Sequence, residues 1–201
     1  MYVPKHFAVD DPDRLACLIA AHDFAVLFTG GEGGPFATHL PLLLDRARGP
    51  RGTLIGHFAR ANPHWRSFDG RPGLAVFAGP HGYVSPRWYA SGPAVPTWNY
   101  VAVHAAGLVR AVEDPAALRA TMETLARRYE GEGKWPIAGL PETFTDAMLR
   151  GIVGLELAIE TLEGKAKLSQ NRSAEDRAGV IAALGDHPLA AAMRASDAAE
   201  G

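Results

Sequence analysis

The segment 95–107, Val-Pro-Thr-Trp-Asn-Tyr-Val-Ala-Val-His-Ala-Ala-Gly, constrains the fold more than any other part of the sequence. Pro96 has no amide donor and a fixed φ, so it suits the first position of a strand better than its interior. Beyond it, successive side chains alternate between two faces. One face carries Trp98, Tyr100, Ala102, His104 and Ala106, and the other carries Asn99, Val101, Val103 and Ala105. The pattern predicts a long β-strand with an ordinary core on the second face.

The aromatic face of this predicted strand has two interpretations. Flat rings beside an imidazole could hold a planar ligand that is rich in heteroatoms. The same face could also form the wall of a barrel core, with the polar tips of Trp98 and Tyr100 satisfied locally. The strand alone leaves both interpretations open.

Length, composition and charge limit the class of protein. The 201 residues are enough for one well-buried domain, and 47% hydrophobic with 21% charged residues is typical of a globular protein. A formal charge of −2 argues against a large nucleic-acid footprint, although a local basic patch remains possible. The single cysteine, Cys17, cannot form an internal disulfide, and the first residues lack a secretion-signal pattern. We therefore expect a cytoplasmic protein.

The remaining periodicities predict an α+β fold that is mainly β. Short strand-like segments follow one another closely, and no regular βαβ alternation is present, which favours an antiparallel barrel with peripheral helices. The glycine-rich stretch 30–34 lies between two such segments and opens no helix, so we interpret it as a hairpin loop rather than a phosphate cradle.

Three helix starts and a domain arrangement follow from local signals. Asp11-Pro12, Asp114-Pro115 and a capping box formed by Ser173 and Asp176 each mark a helix start. We expect a single domain over residues 1–185, with a helical insertion at 114–151 and a flexible tail at 186–201.

The best candidate anion site follows a predicted strand at 53–58. Arg60 and the free backbone amides of a helix that begins at Asn62–Trp65 are expected to face one opening. Helix N-termini bind phosphate through those amides, and arginine adds a bidentate contact. Alternatively, Asn62 only caps the helix and Arg60 is a solvated surface residue.

Other chemistries have weaker support. The histidines at 39, 57, 64 and 104 form no HxH or HExxH pattern, so no metal site is expected. No GxSxG motif supports a catalytic triad, and no catalytic residue is identified. A basic cluster of Lys165, Lys167 and Arg172 could contact phosphate or nucleic acid, or could be a solvated turn. The helix predicted at 173–184 has no partner helix, so a helix-turn-helix is not indicated.

Five motifs occur together in this chain. They are Met-Tyr-Val-Pro-Lys-His-Phe at 1–7, His-Phe-Ala-Arg-Ala-Asn-Pro-His-Trp at 57–65, Val-Ser-Pro-Arg-Trp-Tyr at 84–89, the strand at 95–104, and Lys-Leu-Ser-Gln-Asn-Arg-Ser-Ala-Glu-Asp-Arg-Ala-Gly-Val-Ile at 167–181. In this order they resemble the PaiB-type FMN-binding negative transcriptional regulators, over about residues 1–185. The resemblance implies an FMN-binding split β-barrel related to flavin reductases and pyridoxamine-phosphate oxidases. It also implies a homodimer with FMN in the groove between the chains.

The resemblance also implies the cofactor-binding residues. The flavin ring would lie against Thr38, His39, Leu40 and Pro41. The phosphate region would include His57, Ala59, Arg60, Ala61, Asn62, His64 and Trp65. Trp98, Asn99 and Tyr100 would line the dimer-side wall, and Lys167, Gln170 and Asn171 would close it.

Several functions are compatible with this resemblance. A dimeric regulator could bind promoter DNA directly, through paired copies of the basic cluster, or repress through a partner protein. The alternatives are an FMN-dependent oxidoreductase or flavin reductase, a haem-handling protein of the same fold, and a flavin store or sensor. No membrane partner is expected.

Overall fold

The computed structural model describes the backbone of residues 1–31 and 33–200 and the side chains of residues 1–31 and 33–197. The chain divides into two compact units. The terminal unit contains residues 1–21, 78–103 and 163–201, and the central unit contains residues 22–77 and 104–162. None of the described helices is long and apolar enough to cross a membrane.

The described residues form a mainly antiparallel sheet with peripheral helices. The strands are β1 (Ala8–Val9), β2 (Phe24–Thr29), β3 (Phe36–Pro41), β4 (Leu43–Asp45), β5 (Thr53–Ala59), β6 (Arg71–Val84), β7 (Thr97–Val112) and β8 (Ile152–Lys167). The helices are α1 (Pro12–Ala21), α2 (Trp65–Phe68), α3 (Pro115–Glu130), α4 (Glu142–Arg150), α5 (Ala174–Leu184) and α6 (Pro188–Glu200). The strand order is β3-β2-β6-β7-β8-β5-β4, with β1 paired to β8.

Strand β7 has the alternation that its sequence predicts. Asn99, Val101, Val103 and Ala105 are buried, whereas Trp98, Tyr100, Ala102, His104 and Ala106 are exposed or half-buried. The predicted core face is therefore confirmed. On the aromatic face, Trp98 is 56% exposed and the other four side chains are half-buried.

In the central unit, β2 and β3 form the predicted hairpin. Their register runs from Phe24 opposite Pro41 to Thr29 opposite Phe36. Reciprocal backbone hydrogen bonds between Gly31 and Gly34, at 3.2 and 3.0 Å, close the loop. The glycine-rich stretch is thus a hairpin loop, and Glu32 within it lies outside the described residues.

The buried strand β5 pairs with β8 from Thr53 opposite Ala158 to Ala59 opposite Ile152. A side chain at Gly56 would place its Cβ 2.7 Å from the carbonyl oxygen of Pro41. Glycine therefore allows the backbones of β5 and β3 to approach closely. This approach brings the ends of two strands that carry candidate site residues beside each other.

Two of the predicted helix starts form as expected. The carboxylate of Asp11 accepts hydrogen bonds from the amides of Asp13 and Arg14 at the start of α1, at 3.2 and 3.3 Å. At the start of α3, the Asp114 carboxylate accepts the Ala117 amide at 2.8 Å. Both carboxylates satisfy amides that have no partner within their helix.

The capping box predicted at α5 is only half formed. Ser173 Oγ accepts the Asp176 amide at 3.2 Å. The Asp176 carboxylate instead accepts hydrogen bonds from the amides of Ala90 and Ser91, at 2.9 and 3.0 Å, and from Ser91 Oγ at 2.5 Å. These hydrogen bonds, chiefly those from Ser91, lower the pKa of Asp176. A carboxylate on a helix thus fixes a loop in the terminal unit.

The segment expected to be a flexible tail differs from the prediction. It forms α6, in which Leu189, Ala190 and Met193 are fully buried. Leu189 and Met193 are four residues apart and therefore share one helix face. Alanine supports helix formation at low entropic cost, and two large apolar side chains are enough to anchor the helix.

Candidate functional site

The candidate cofactor residues fall into two groups that belong to different units. The central group comprises Thr38, His39, Leu40, Pro41, His57, Ala59, Arg60, Ala61, Asn62, His64 and Trp65. The terminal group comprises Trp98, Asn99, Tyr100, Lys167, Gln170 and Asn171. Each group is described within its own unit.

His64 packs inside the central unit rather than facing a ligand. Its side chain is fully buried, its Nε2 lies 2.8 Å from Thr29 Oγ1, and its Nδ1 lies 2.8 Å from Thr38 Oγ1. Its ring stacks on Phe36 with centroids 4.6 Å apart. Burial lowers the pKa of His64. Both ring nitrogens are thus occupied within the unit, so His64, a predicted cofactor contact, has no free ring nitrogen to offer a ligand.

The helix start predicted at Asn62 is displaced. Helix α2 covers only Trp65–Phe68, so it offers little of the dipole that a longer helix directs at an anion. Asn62 closes a turn: its Oδ1 accepts the His64 amide at 3.0 Å, and its Nδ2 donates to Thr38 Oγ1 at 3.2 Å. The proposed helix-terminus anion site is therefore not formed here.

The Arg60 side chain is 36% exposed, and its guanidinium is held by groups of its own unit. Its Nε donates to the Arg150 carbonyl at 2.9 Å, and two guanidinium nitrogens bind Glu113 Oε2 at 2.7 Å and the Ile152 carbonyl at 3.0 Å. The Trp65 indole, whose Nε1 donates to the Arg60 carbonyl at 2.9 Å, lies under the guanidinium. The interpretation of Arg60 as only a solvated surface residue needs correction, because its donors hold this loop against residues 150–152.

His57, at the end of β5, is the residue of the central group that best fits a ligand. Its Nδ1 is buried and has no hydrogen-bond partner. Burial lowers the pKa of His57, so its imidazole is neutral at pH 7. A buried polar atom without a partner is costly unless something else satisfies it. FMN is rich in hydrogen-bonding atoms and fits this requirement, and the neighbouring Ala59 and Ala61 are exposed.

The residues expected beside the flavin ring, on β3, face different directions. His39 is exposed and its ring stacks with Phe24 at a centroid distance of 6.3 Å, whereas Leu40 is buried. Leu40 therefore offers a ligand only its backbone. Phe24 pairs with Pro41 in the sheet register, and Phe24 and Phe28 are 66% and 39% exposed. Thr38 and Pro41 are half-buried, so this hairpin presents an open aromatic face.

In the terminal group, Trp98 and Asn99 point to opposite sides of β7. Trp98 is 56% exposed, and its ring meets Tyr83 edge-on at 6.2 Å. Asn99 is fully buried; its Nδ2 donates to Ser169 Oγ at 2.9 Å, and its Oδ1 has no partner. Asn99 therefore does not share the predicted wall with Trp98 and Tyr100.

Lys167 reaches the start of β7. Its ammonium donates to Thr97 Oγ1 and, at 2.7 Å, to the Trp98 carbonyl. Burial, together with the nearby charge of Lys165, lowers the pKa of Lys167. Thr97 was not among the predicted site residues, although the Pro-Thr-Trp motif was the signal that contained it.

The other members of the predicted basic cluster are also held within the terminal unit. Lys165 is buried, donates to the Tyr2 carbonyl at 3.0 Å, and lies 4.9 Å from the centre of the Tyr100 ring. The Arg172 guanidinium lies over Tyr89 at 4.5 Å. The cluster therefore does not form an open basic patch.

The last candidates lie in the turn after β8. The Gln170 amide is used locally, since its Oε1 accepts the Leu168 amide at 2.7 Å and its Nε2 donates to the Ala166 carbonyl at 2.6 Å. Asn171 is exposed. Ser169 has a φ of 65°, which is rare for a residue other than glycine, and its Oγ accepts from Asn99. Sequence reasoning gave no role to Ser169.

Comparisons with known proteins are consistent with these motifs. Residues 1–161 match the family described as "Putative FMN-binding domain". The chain is 36% identical, over 92% of its own length and 89% of the relative's, to the protease synthase and sporulation protein PAI 2 of Bacillus subtilis. FMN, the cofactor predicted from the sequence, is thus the one that the matching family is described as binding.

Solved structures show the fold. The FAD and heme binding protein of Mycobacterium smegmatis is 20% identical with a TM-score of 0.65, over 90% of this chain and 81% of that one. The flavocytochrome Anf3 of Azotobacter vinelandii is 15% identical with a TM-score of 0.64, over 88% and 78% of the two chains. The predicted flavin-reductase-like split-barrel fold is confirmed. The chain belongs to the PaiB-type family of FMN-binding-domain proteins.

Proposed function

We propose that the protein is a homodimer that binds FMN in a groove between its two chains. The observation that carries this proposal is the open aromatic face of the β2–β3 hairpin, where Phe24, Phe28 and His39 lie side by side. An exposed cluster of this kind favours association or ligand binding. A second chain would bury the apolar rings and leave the polar groups at their edge to the cofactor.

Within such a groove, we assign the central group the following roles. The neutral His57 donates or accepts one hydrogen bond through its partnerless Nδ1. The Arg60 guanidinium binds the phosphate after exchanging its ion pair with Glu113. In the terminal unit, we assign Trp98 and Tyr100 to a separate apolar wall that a partner chain would cover. Bound FMN supplies electron-transfer chemistry that side chains lack.

The dimer and its cofactor can be tested together on the purified wild-type protein and two variants. The expected result is a yellow protein with a dimeric mass in solution, and a Phe24→Glu/Phe28→Glu variant that is monomeric and loses FMN. Phe144→Glu is the matched control, because Phe144 is a similarly exposed aromatic on α4. A colourless wild-type monomer that ignores added FMN would overturn the proposal.

The role of Arg60 has its own test. Arg60→Ala should weaken FMN binding more than riboflavin binding, since only FMN carries the phosphate. Glu113→Gln should have the opposite effect and strengthen FMN binding alone, because it releases the guanidinium from its ion pair. Equal changes for both ligands in both variants would remove Arg60 from the phosphate site.

For transcriptional regulation, which the family resemblance implies, we propose action through a partner protein. Lys165 is buried, and Lys167 and Arg172 contact groups of their own unit, so this cluster offers little to a DNA phosphate chain. The protein should not retard its own upstream DNA at low salt. Retardation that weakens in Lys167→Gln would instead show direct binding.

An FMN-dependent oxidoreductase is the second candidate function. The neutral His57 favours it, because a buried imidazole can hydrogen-bond a flavin in either redox state without adding charge. The expected observation is bleaching of the bound flavin by NADH or NADPH without oxygen. A flavin that stays oxidised with both donors would reject this function. A haem-handling role would be shown by a Soret band on haem titration.

A further inference from the structure

The helical part of the central unit contains an apolar cavity that none of the proposed FMN contacts lines. Its volume is about 310 Å³, and it lies between α3, α4 and the segment that connects them. Leu125, Ile137 and Leu149 form a buried floor. The rim is apolar and about half exposed, with Tyr129, Trp135 and Phe144 each at 51% and Met148 at 55%.

The shape of the cavity follows from two helical stripes. Met122, Ala126 and Tyr129 are three or four residues apart and share one face of α3, and Phe144 and Met148 share one face of α4. At the edge of the cavity an Arg119–Asp146 ion pair of 3.3 Å joins the two helices. Ala126 lines the cavity with only a methyl group, so a larger side chain at this position would occupy part of its space.

We propose that this cavity is a binding site for a small, neutral aromatic molecule of one or two fused rings. The volume lies at the lower end of the range of ligand pockets, about 300–1,000 Å³, which limits the ligand to that size. The walls are aromatic rings and methionine side chains, which favour a flat, polarisable partner.

Charge excludes an ionic ligand from this site. Arg119 is already bound to Asp146, and the other charged lining residue is the exposed Glu130. The floor side chains are apolar, and the hydroxyl of the buried Thr145 that also lines the cavity donates to the Pro141 carbonyl at 3.2 Å. No charged group there could compensate a buried ligand charge. Covering the half-exposed rim would remove apolar surface from water, at about 25 cal/mol per Å².

Trp135 reports on the site. It lines this cavity and also a neighbouring one of about 270 Å³, and Ala126 and Ile137 are shared by both. The connection that carries it contains Gly131 and Gly133 with φ of 94° and 67°. Trp135 borders both cavities, so a ligand that fills the first would contact this residue. Binding should therefore change the fluorescence of Trp135.

The test uses the full-length protein and the neutral two-ring fluorescent probe 1-aminonaphthalene. We expect saturable binding with one site per chain, probe emission that rises on binding, and quenching of tryptophan emission that Trp135→Phe abolishes. Ala126→Leu should fill the cavity and weaken binding by about tenfold or more. Ala120→Leu, an exposed position on the same helix outside the cavity, should change it less than about twofold.

Thermal unfolding and FMN content of each variant separate the possible outcomes. Equal losses in Ala126→Leu and Ala120→Leu, with both proteins folded, would overturn the proposal. So would competition between FMN and the probe, which would make this cavity part of the flavin site. If Met148→Lys converts a dimer to a monomer, a second copy covers the cavity, and the ligand proposal is wrong.

Discussion

Two buried polar side chains differ in how completely they are hydrogen-bonded. They are His64 in the central unit and Asn99 in the terminal unit. His64 has both ring nitrogens hydrogen-bonded to threonine hydroxyls and is packed among aromatic rings. Asn99 makes a hydrogen bond to Ser169 through its Nδ2 alone, with the sulfur of Met193 at 3.8 Å as its other neighbour, and its Oδ1 has no partner. Both side chains are fully buried.

The two residues differ in whether every buried polar atom has a hydrogen-bond partner, which is so for the ring nitrogens of His64 and not for Asn99. A buried group with every polar atom satisfied fixes a single packing arrangement and is costly to replace. A group with one atom unsatisfied contributes less to stability, since desolvation of that atom offsets its hydrogen bond. The sequence marks both residues as candidates for ligand contact, and only their partners distinguish them.

The largest effect is expected at the satisfied residue. His64→Leu leaves the hydroxyls of Thr29 and Thr38 without their ring partners and removes the stacking on Phe36. We expect a loss of about 3 kcal/mol in the free energy of unfolding. Urea unfolding at pH 7.5 measures it. A loss below about 1 kcal/mol would mean that the network does not stabilise the fold.

The burial of two histidines, His64 and His57, predicts a dependence of stability on pH. Burial lowers the pKa values of His64 and His57 from their ordinary 6.5, so the unfolded chain binds protons more readily than the folded one. The free energy of unfolding should be highest above pH 6.5 and should fall as the pH drops towards and through the lowered pKa values of the folded state. His64→Gln should reduce this slope, whereas His81→Gln, at an exposed site outside the network, should retain it.

A smaller effect is expected at the partly satisfied residue. Asn99→Leu removes one hydrogen bond and one unsatisfied oxygen together, at similar volume, so the free energy of unfolding should change by less than about 1 kcal/mol. The measurement is urea unfolding beside His64→Leu under identical conditions. Equal losses at the two positions would erase the distinction between them.

The smallest effect on unfolding is expected on the opposite face of the same strand. Trp98 is 56% exposed, so Trp98→Ala should change the free energy of unfolding, measured in dilute protein, by about 0.5 kcal/mol or less. If the proposed groove uses this wall, the variant should instead weaken dimerisation or FMN binding. If the variant loses only thermal stability, Trp98 packs within its own chain and has no part in the proposed groove.

Local patterns predicted the parts of the fold that depend on neighbours in sequence. The alternation of β7, the hairpin at 30–34, and the caps at Asp11 and Asp114 each arise from residues within a few positions of one another. Strand β8 likewise shows an alternating pattern, with Leu155, Leu157 and Ile159 buried on one face. Period and capping chemistry are local properties, and a sequence displays them directly.

The candidate site was harder to predict because its contacts join distant segments. Arg60 is bound by Glu113, Arg150 and Ile152, which lie 53 to 92 positions away. No local pattern shows that these partners would occupy an arginine that otherwise suits a phosphate. For α6, the alanine-rich composition concealed the two buried side chains that anchor it.

The Asp176 carboxylate holds the loop at Ala90 and Ser91, and it therefore limits where the chain can be truncated. The match to the family ends at residue 161, whereas the terminal unit draws on residues 163–201. A fragment that stopped at the family boundary would lose the acceptor for three hydrogen-bond donors of that loop, and with it Lys165 and Ser169. The matched region is therefore shorter than the folding unit, and expression or domain-swapping experiments should retain α5.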